Sequence, residues 1–174
     1  MKGLLKLSAD VYSTLPIAIF FYLLNESVFL QKYGDNLLLA ILIIIADGTS
    51  LLIKQIPYPN NCKKYFDRPE KARDTDILSS NGPQTLGTHG FPSGHMTTIT
   101  VFALGMLIRL FVKKPYSNVL SFVNTNKGVV AFYISLIALM GWSRYYKKVH
   151  NKVQVTGGIA LGSVFAGLYY ILIN

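Results

Sequence analysis

Apolar residues gather into five stretches along the chain, at 11–31, 36–56, 95–112, 128–143 and 153–173. A helix that crosses a bilayer needs about 20 mainly apolar residues. The first, second and fifth stretches meet that length. The third and fourth are shorter and are bordered by polar residues of chemical interest, so each needs a further turn at one end. The pattern predicts an all-α fold, a polytopic membrane helical bundle with about five transmembrane helices. Residues 1–174 read as a single domain. Met1 to Lys6 is basic and precedes an apolar run, as in a secretory signal. The run to Leu30 is long for such a signal and no small-residue cleavage site follows, so a retained helix is expected.

The polar positions fall between these stretches. A tight turn is expected near Tyr33, Gly34 and Asp35, and loops at 113–127 and 144–152. The one long loop, 57–94, holds five of the seven prolines. Long loops in compact proteins are usually functional or disordered. Two apolar stretches separate the 57–94 loop from the 144–152 loop, so both must emerge on one face of the membrane.

Composition narrows the function classes. Of 174 residues 51% are hydrophobic and only 14% charged, yet 17 Lys and Arg face eight Asp and Glu, a net charge of +9. Such a bias suits nucleic acid, an anionic membrane surface or an anionic substrate. The apolar stretches favour the last two, and no nucleic-acid partner is expected. Cys62 is the only cysteine, so no intrachain disulfide can form.

The two loops on the shared face carry Arg68-Pro69, then Pro92-Ser93-Gly94-His95 at a helix start, then Ser143-Arg144 and His150. Arginine grips phosphoryl oxygens with paired hydrogen bonds. Ser93 and Gly94 at a helix start offer free backbone N–H groups and the positive end of the helix dipole. One histidine can attack phosphorus while the other protonates the leaving oxygen. Phosphoryl transfer needs positioning and charge neutralisation above all, and arginines can supply the charge. The chain shows no carboxylate cage or Cys/His cluster, so no metal and no cofactor are expected.

These motifs resemble the type 2 phosphatidic acid phosphatase superfamily of membrane phosphatases. Its three blocks are Lys-x6-Arg-Pro, Pro-Ser-Gly-His and Ser-Arg-x5-His-x3-Asp. The second stands here as Pro92-Ser93-Gly94-His95, and the third is intact through Ser143-Arg144-x5-His150. The resemblance implies that His150 is the nucleophile and forms a phosphohistidine. It makes His95 the general acid and then the base that activates water. Arg68, Arg144, Ser93 and Gly94 would hold the phosphate. The first block departs from the pattern, because Asn61 occupies its lysine position. Lys54 is the preferred substitute, with Lys63 and Lys64 as rivals. Gln154 stands where the family has Asp. Its carbonyl can orient the nucleophilic histidine but brings no negative charge. The pattern His150-x3-Gln154-Val155 resembles the branches of dolichyl diphosphatase and glucose-6-phosphatase.

The resemblance implies a short version of a six-helix core, embedded in the lipid bilayer, with the site facing the lumenal or extracytosolic side. The positive 113–127 loop then faces the cytosol, while Lys2 and Lys6 argue the other way. The implied substrate is a polyisoprenyl diphosphate first, then phosphatidic acid or a related lipid phosphate, with glucose 6-phosphate third. A lipid-phosphate-binding protein with weak chemistry in the same pocket is the alternative.

Other residues receive plainer readings. His89 is a loop residue; Lys147 and Lys148 have no claim to function. Arg109, Lys113 and Lys114 read as cations snorkelling to the interface. Asp47, an acid inside an apolar stretch, is either functional or paired within the bundle. Gly158-x3-Gly162 is a close-packing pattern, expected to face another helix of the bundle.

Overall fold

The computed structural model describes residues 2–28, 34–69, 89–114 and 116–174. Tyr33 of the expected turn and residues 70–88 of the long loop lie outside them. Secondary structure among the described residues is entirely helical. The α-helices are α1 (Lys2–Val28), α2 (Asp35–Ile53), α3 (Lys63–Phe66), α4 (Gly94–Val112), α5 (Val119–Thr125), α6 (Lys127–Tyr146) and α7 (Lys152–Ile173). A single 3₁₀ turn, Asn60–Cys62, precedes α3. Five helices are long and apolar enough to cross a membrane: α1, α2, α4, α6 and α7.

These five coincide with the five apolar stretches, with instructive differences at their ends. Helix α1 starts at Lys2 rather than at residue 11. Its early polar residues are satisfied inside the fold: Ser8 Oγ donates to the Leu4 carbonyl at 2.9 Å, and Asp10 pairs with Lys147 at 2.8 Å. Helix α6 runs on to Tyr146, so Arg144 belongs to its last turn and not to a loop. The reason is tertiary: Ser143 Oγ donates to the Ala9 carbonyl of α1 at 2.8 Å, and Arg144 beside it is fully buried. The 113–127 loop contains α5, whose Asn118 side chain caps it by accepting from the Ser121 N–H.

Helix α4 is the centre of the bundle and packs against α1, α2, α6 and α7. Its residues from Met96 to Ala103 are all buried. Lipid tails are as apolar as leucine, so helices in a bilayer associate through close packing rather than through a hydrophobic gain. The α4–α7 pair shows how. A Cβ on Gly158 would lie 2.5 Å from the Ser93 carbonyl oxygen and 2.6 Å from Met96 Cβ. One on Gly162 would lie 2.6 Å from Thr100 Cβ. The small-residue stripe of α7 therefore meets α4 within the bundle. The two helices run in parallel, so both N-termini, with their positive dipole ends, open on the same face.

The opposite end is closed by polar contacts. Lys113 pairs with Asp35, Arg109 donates to Asn36 and approaches Asp35 at 3.7 Å, and Tyr169 donates to the Asp35 carbonyl at 3.3 Å. Arg109 and Lys113 are thus fixed in ion pairs rather than snorkelling, because α2 begins where α4 ends.

Candidate active site

The site is built around the turn from α6 into α7. Lys148 takes a left-handed conformation there (φ 55°), and the Val149 N–H returns to the Arg144 carbonyl at 3.2 Å. That reversal follows a common way of ending a helix, and it folds His150 back into the bundle, only 5% exposed. Asn151 then caps α7. Its side chain accepts from the Gln154 N–H at 3.0 Å, and the Gln154 side-chain oxygen accepts from the Asn151 N–H at 3.2 Å.

This capping box turns Gln154 toward the histidine. Gln154 Oε1 lies 3.0 Å from His150 Nδ1. Its Nε2 donates to the carbonyls of Tyr65, Phe66 and Asp67, at 3.2, 3.1 and 2.7 Å. An amide nitrogen only donates and an amide oxygen only accepts. The three carbonyls therefore fix the orientation of the amide, and His150 must carry its proton on Nδ1. Nε2 of His150 keeps its lone pair.

The segment from Tyr65 to Asp67 leads directly into Arg68, so the same amide docks the arginine loop. Asn151 Nδ2 adds a bond to the Tyr65 carbonyl at 2.9 Å. His89, read from the sequence as a plain loop residue, pairs with Asp67 at 2.6 Å. The Gly90 N–H donates to the Phe66 carbonyl at 2.7 Å, and a Cβ on Gly90 would lie 2.6 Å from Gln154 Oε1. Only glycine permits that approach.

The Phe91–Pro92 peptide is cis. The Ser93 N–H donates to the Gln154 carbonyl at 3.0 Å, which sets the start of α4 against α7. At Gly94 a Cβ would lie 2.8 Å from Asp47 Oδ1 and 3.6 Å from Lys54 Nζ. Lys54, just past the end of α2 and 7% exposed, therefore reaches the first turn of α4. Lys63 and Lys64 do not; with Asp67, Arg68, Pro69 and Asn151 they line an outer cavity of about 470 Å³.

Burial and neighbouring cations govern the charges. Burial, then Arg68, His95 and Lys54, hold His150 well below the usual imidazole range, while its bond to Gln154 opposes them. His150 is therefore a neutral base. Burial, then Arg68, lower Lys54 to about 8, against the pull of Asp47. Burial also lowers the Arg68 guanidinium. Arg144 donates through Nη2 to the Ser13 and Ser143 hydroxyls.

Among the buried polar atoms without a hydrogen-bond partner in the described residues are Arg68 Nη1 and Ser93 Oγ, both at this end of the bundle. Each such group costs about 1–3 kcal/mol. An oxyanion could supply the acceptor that each lacks. This end of the bundle thus carries an imidazole nitrogen with a free lone pair, a second histidine, and cationic and N–H donors. Among the described residues no group of three or more His, Cys, Asp or Glu could hold a metal ion.

Lys54, Arg68, Ser93, Gly94, His95, Arg144, His150 and Gln154 all fall at one end of the bundle. Ser13, Lys147, Asn151 and the His89–Asp67 pair join them without a sequence signal, apart from the Asn-x2-Gln spacing of the cap. A family model described as the PAP2 superfamily matches residues 36–174, leaving α1 outside. Comparison with curated proteins and with solved structures gives no match.

Proposed function

Because the chain belongs to the PAP2 superfamily, which supports a phosphatase-type function, we propose that it is a multi-pass membrane phosphatase acting on a lipid phosphate or polyisoprenyl diphosphate. The observation that carries this reading is that the unsatisfied buried donors Arg68 Nη1 and Ser93 Oγ lie at the same end of the bundle as the neutral His150.

Nε2 of His150 attacks phosphorus, and the bond from phosphorus to the lipid oxygen breaks. His95 gives its proton to that oxygen. His95 then takes a proton from water, whose oxygen attacks the phosphohistidine. The P–N bond breaks, phosphate leaves and His150 recovers its lone pair. Arg68, Arg144, Lys54, Ser93 and the N–H groups at Gly94 neutralise charge on the non-bridging oxygens without a metal. Gln154 holds the His150 tautomer through both steps.

A lipid substrate is supported by an apolar groove of about 330 Å³ between α1 and α2. Pro16, Ile17, Phe20, Ile43 and Ile44 line it with Asp47 and Thr98. Asp47 also touches Gly94, so the groove adjoins the phosphate space. A head group held at the site keeps its tail in that groove. Lys63 and Lys64 in the outer cavity favour a second phosphate and hence a diphosphate. The opposite end carries Lys113, Lys114 and Lys127, which supports an extracytosolic site.

The second reading, a lipid-phosphate binder of weak activity, draws on the neutral Gln154 beside His150. Phosphate release from a polyprenyl diphosphate and from phosphatidic acid, measured in detergent with EDTA present, separates the two. Release that is lost in His150→Ala supports the enzyme. Equal background release from both proteins leaves only the binder.

A further inference from the structure

The family match begins at residue 36, yet the side chains and carbonyls of α1 reach the middle of the site. Ser13 is 1% exposed and lies where α1 crosses the end of α6. Its hydroxyl donates to the Ala9 carbonyl at 2.8 Å and accepts from Arg144 Nη2. Lys147 Nζ approaches it at 3.5 Å. One donor and two lone pairs are then fully used. One residue of α1 therefore touches both the buried arginine and the lysine one turn beyond it.

The Ala9 carbonyl, one turn before Ser13, receives the Ser143 hydroxyl as well. A separate contact, the Asp10–Lys147 ion pair at 2.8 Å, fixes the rotation of α1 against the α6–α7 turn. The ion pair of Asp10 and the Arg144 contact of Ser13 thus rest on different side chains.

We propose that Ser13 is a positioning residue of the site. Its hydroxyl aims the Arg144 guanidinium at the phosphate. Arginine grips a phosphoryl group through a planar fork, so a small rotation of its head loses paired bonds. The role of Arg144 rests on the phosphatase reading; its contact with Ser13 does not.

The test compares Ser13→Ala, Ser13→Thr and Asp10→Asn in the full-length protein in detergent. Three quantities are read: thermal unfolding, kcat/KM per folded molecule, and the affinity for inorganic phosphate by calorimetry. Ser13→Ala is expected to lower kcat/KM and to weaken phosphate binding, each about tenfold, the loss that one charge-assisted hydrogen bond implies. Ser13→Thr keeps the hydroxyl on Ala9 and Arg144 and is expected to restore phosphate affinity. Asp10→Asn is expected to lower the unfolding temperature with phosphate affinity unchanged. If Ser13→Ala lowers only the unfolding temperature, or if Asp10→Asn weakens phosphate binding as much, Ser13 is a packing residue and the proposal is overturned. If the wild-type protein releases no phosphate from lipid, the phosphatase reading fails. The phosphate-binding comparison then decides the role of Ser13 by itself.

Discussion

The side-chain oxygen of Gln154 lies 3.0 Å from Nδ1 of His150, while the nitrogen of the same amide donates to three carbonyls in the segment that leads to Arg68. One residue therefore sets the tautomer of the proposed nucleophile and docks the loop that carries Arg68, the proposed phosphate-binding arginine. A carboxylate here could serve the first purpose only. Gln154→Glu is nearly isosteric, yet its second oxygen would face the carbonyls of Tyr65, Phe66 and Asp67. Kinetics should show kcat/KM reduced about 10- to 100-fold, with a rise in KM as the Arg68 loop loosens. The new negative charge also raises the His150 pKa. An acid limb set by His150, which burial holds below the usual imidazole range in the wild type, should then move toward neutrality.

Lys54 gives the alkaline side of the same profile. Burial and Arg68 lower it to about 8, so its positive charge is present below that pH and is lost above it. The pH dependence of kcat/KM reports the free enzyme. A fall through an apparent pKa near 8 is the expected outcome. Lys54→Arg keeps the charge and should carry the limb to higher pH, and Lys54→Met should remove activity at all pH values. A profile unchanged in Lys54→Arg would assign the alkaline limb to another group.

Gly90 tests the hub from a distance. It sits against Gln154 with no room for a Cβ. Gly90→Ala must push the amide off its partners at a cost of about 1–3 kcal/mol. A lowered unfolding temperature and a lowered kcat/KM should appear together, although residue 90 has no proposed contact with phosphate.

Lys63 and Lys64 line the outer cavity rather than the inner site. Neutralising both with Gln should lower kcat/KM for a diphosphate by up to about 30-fold, since exposed charges contribute at most about 1 kcal/mol each. Phosphatidic acid turnover should hardly change. Equal losses on both substrates would place these lysines at the first phosphate.

Much of this was legible in the sequence because it depends on chain order. Five apolar stretches are enough to place five long helices. Two apolar stretches between two loops are enough to bring Arg68 and His150 to one face. Residue type and spacing singled out His95, Arg144 and Gln154. What could not be read depends on which faces meet. Ser13 looks like any helical serine until α1 crosses Arg144. Arg144 reads as a loop residue because its burial comes from α1 and not from its neighbours in sequence. Lys54 could not be separated from Lys63 and Lys64 until Gly94 showed which ammonium reaches α4. Arg109 looks like an interface cation because Asp35, its partner, is distant in the chain. The seven residues of α5 are too few to show a helical period against the surrounding polar residues.

The central claim is a phosphoryl group on Nε2 of His150, and trapping it is the most direct test. Turnover of a radiolabelled polyprenyl diphosphate would be quenched in base, where a phosphohistidine survives, and the labelled peptide would be identified. Label on the peptide that holds His150, absent in His150→Ala, is the expected result. Phosphate release without any label on His150, or label retained in His150→Ala, would contradict the mechanism.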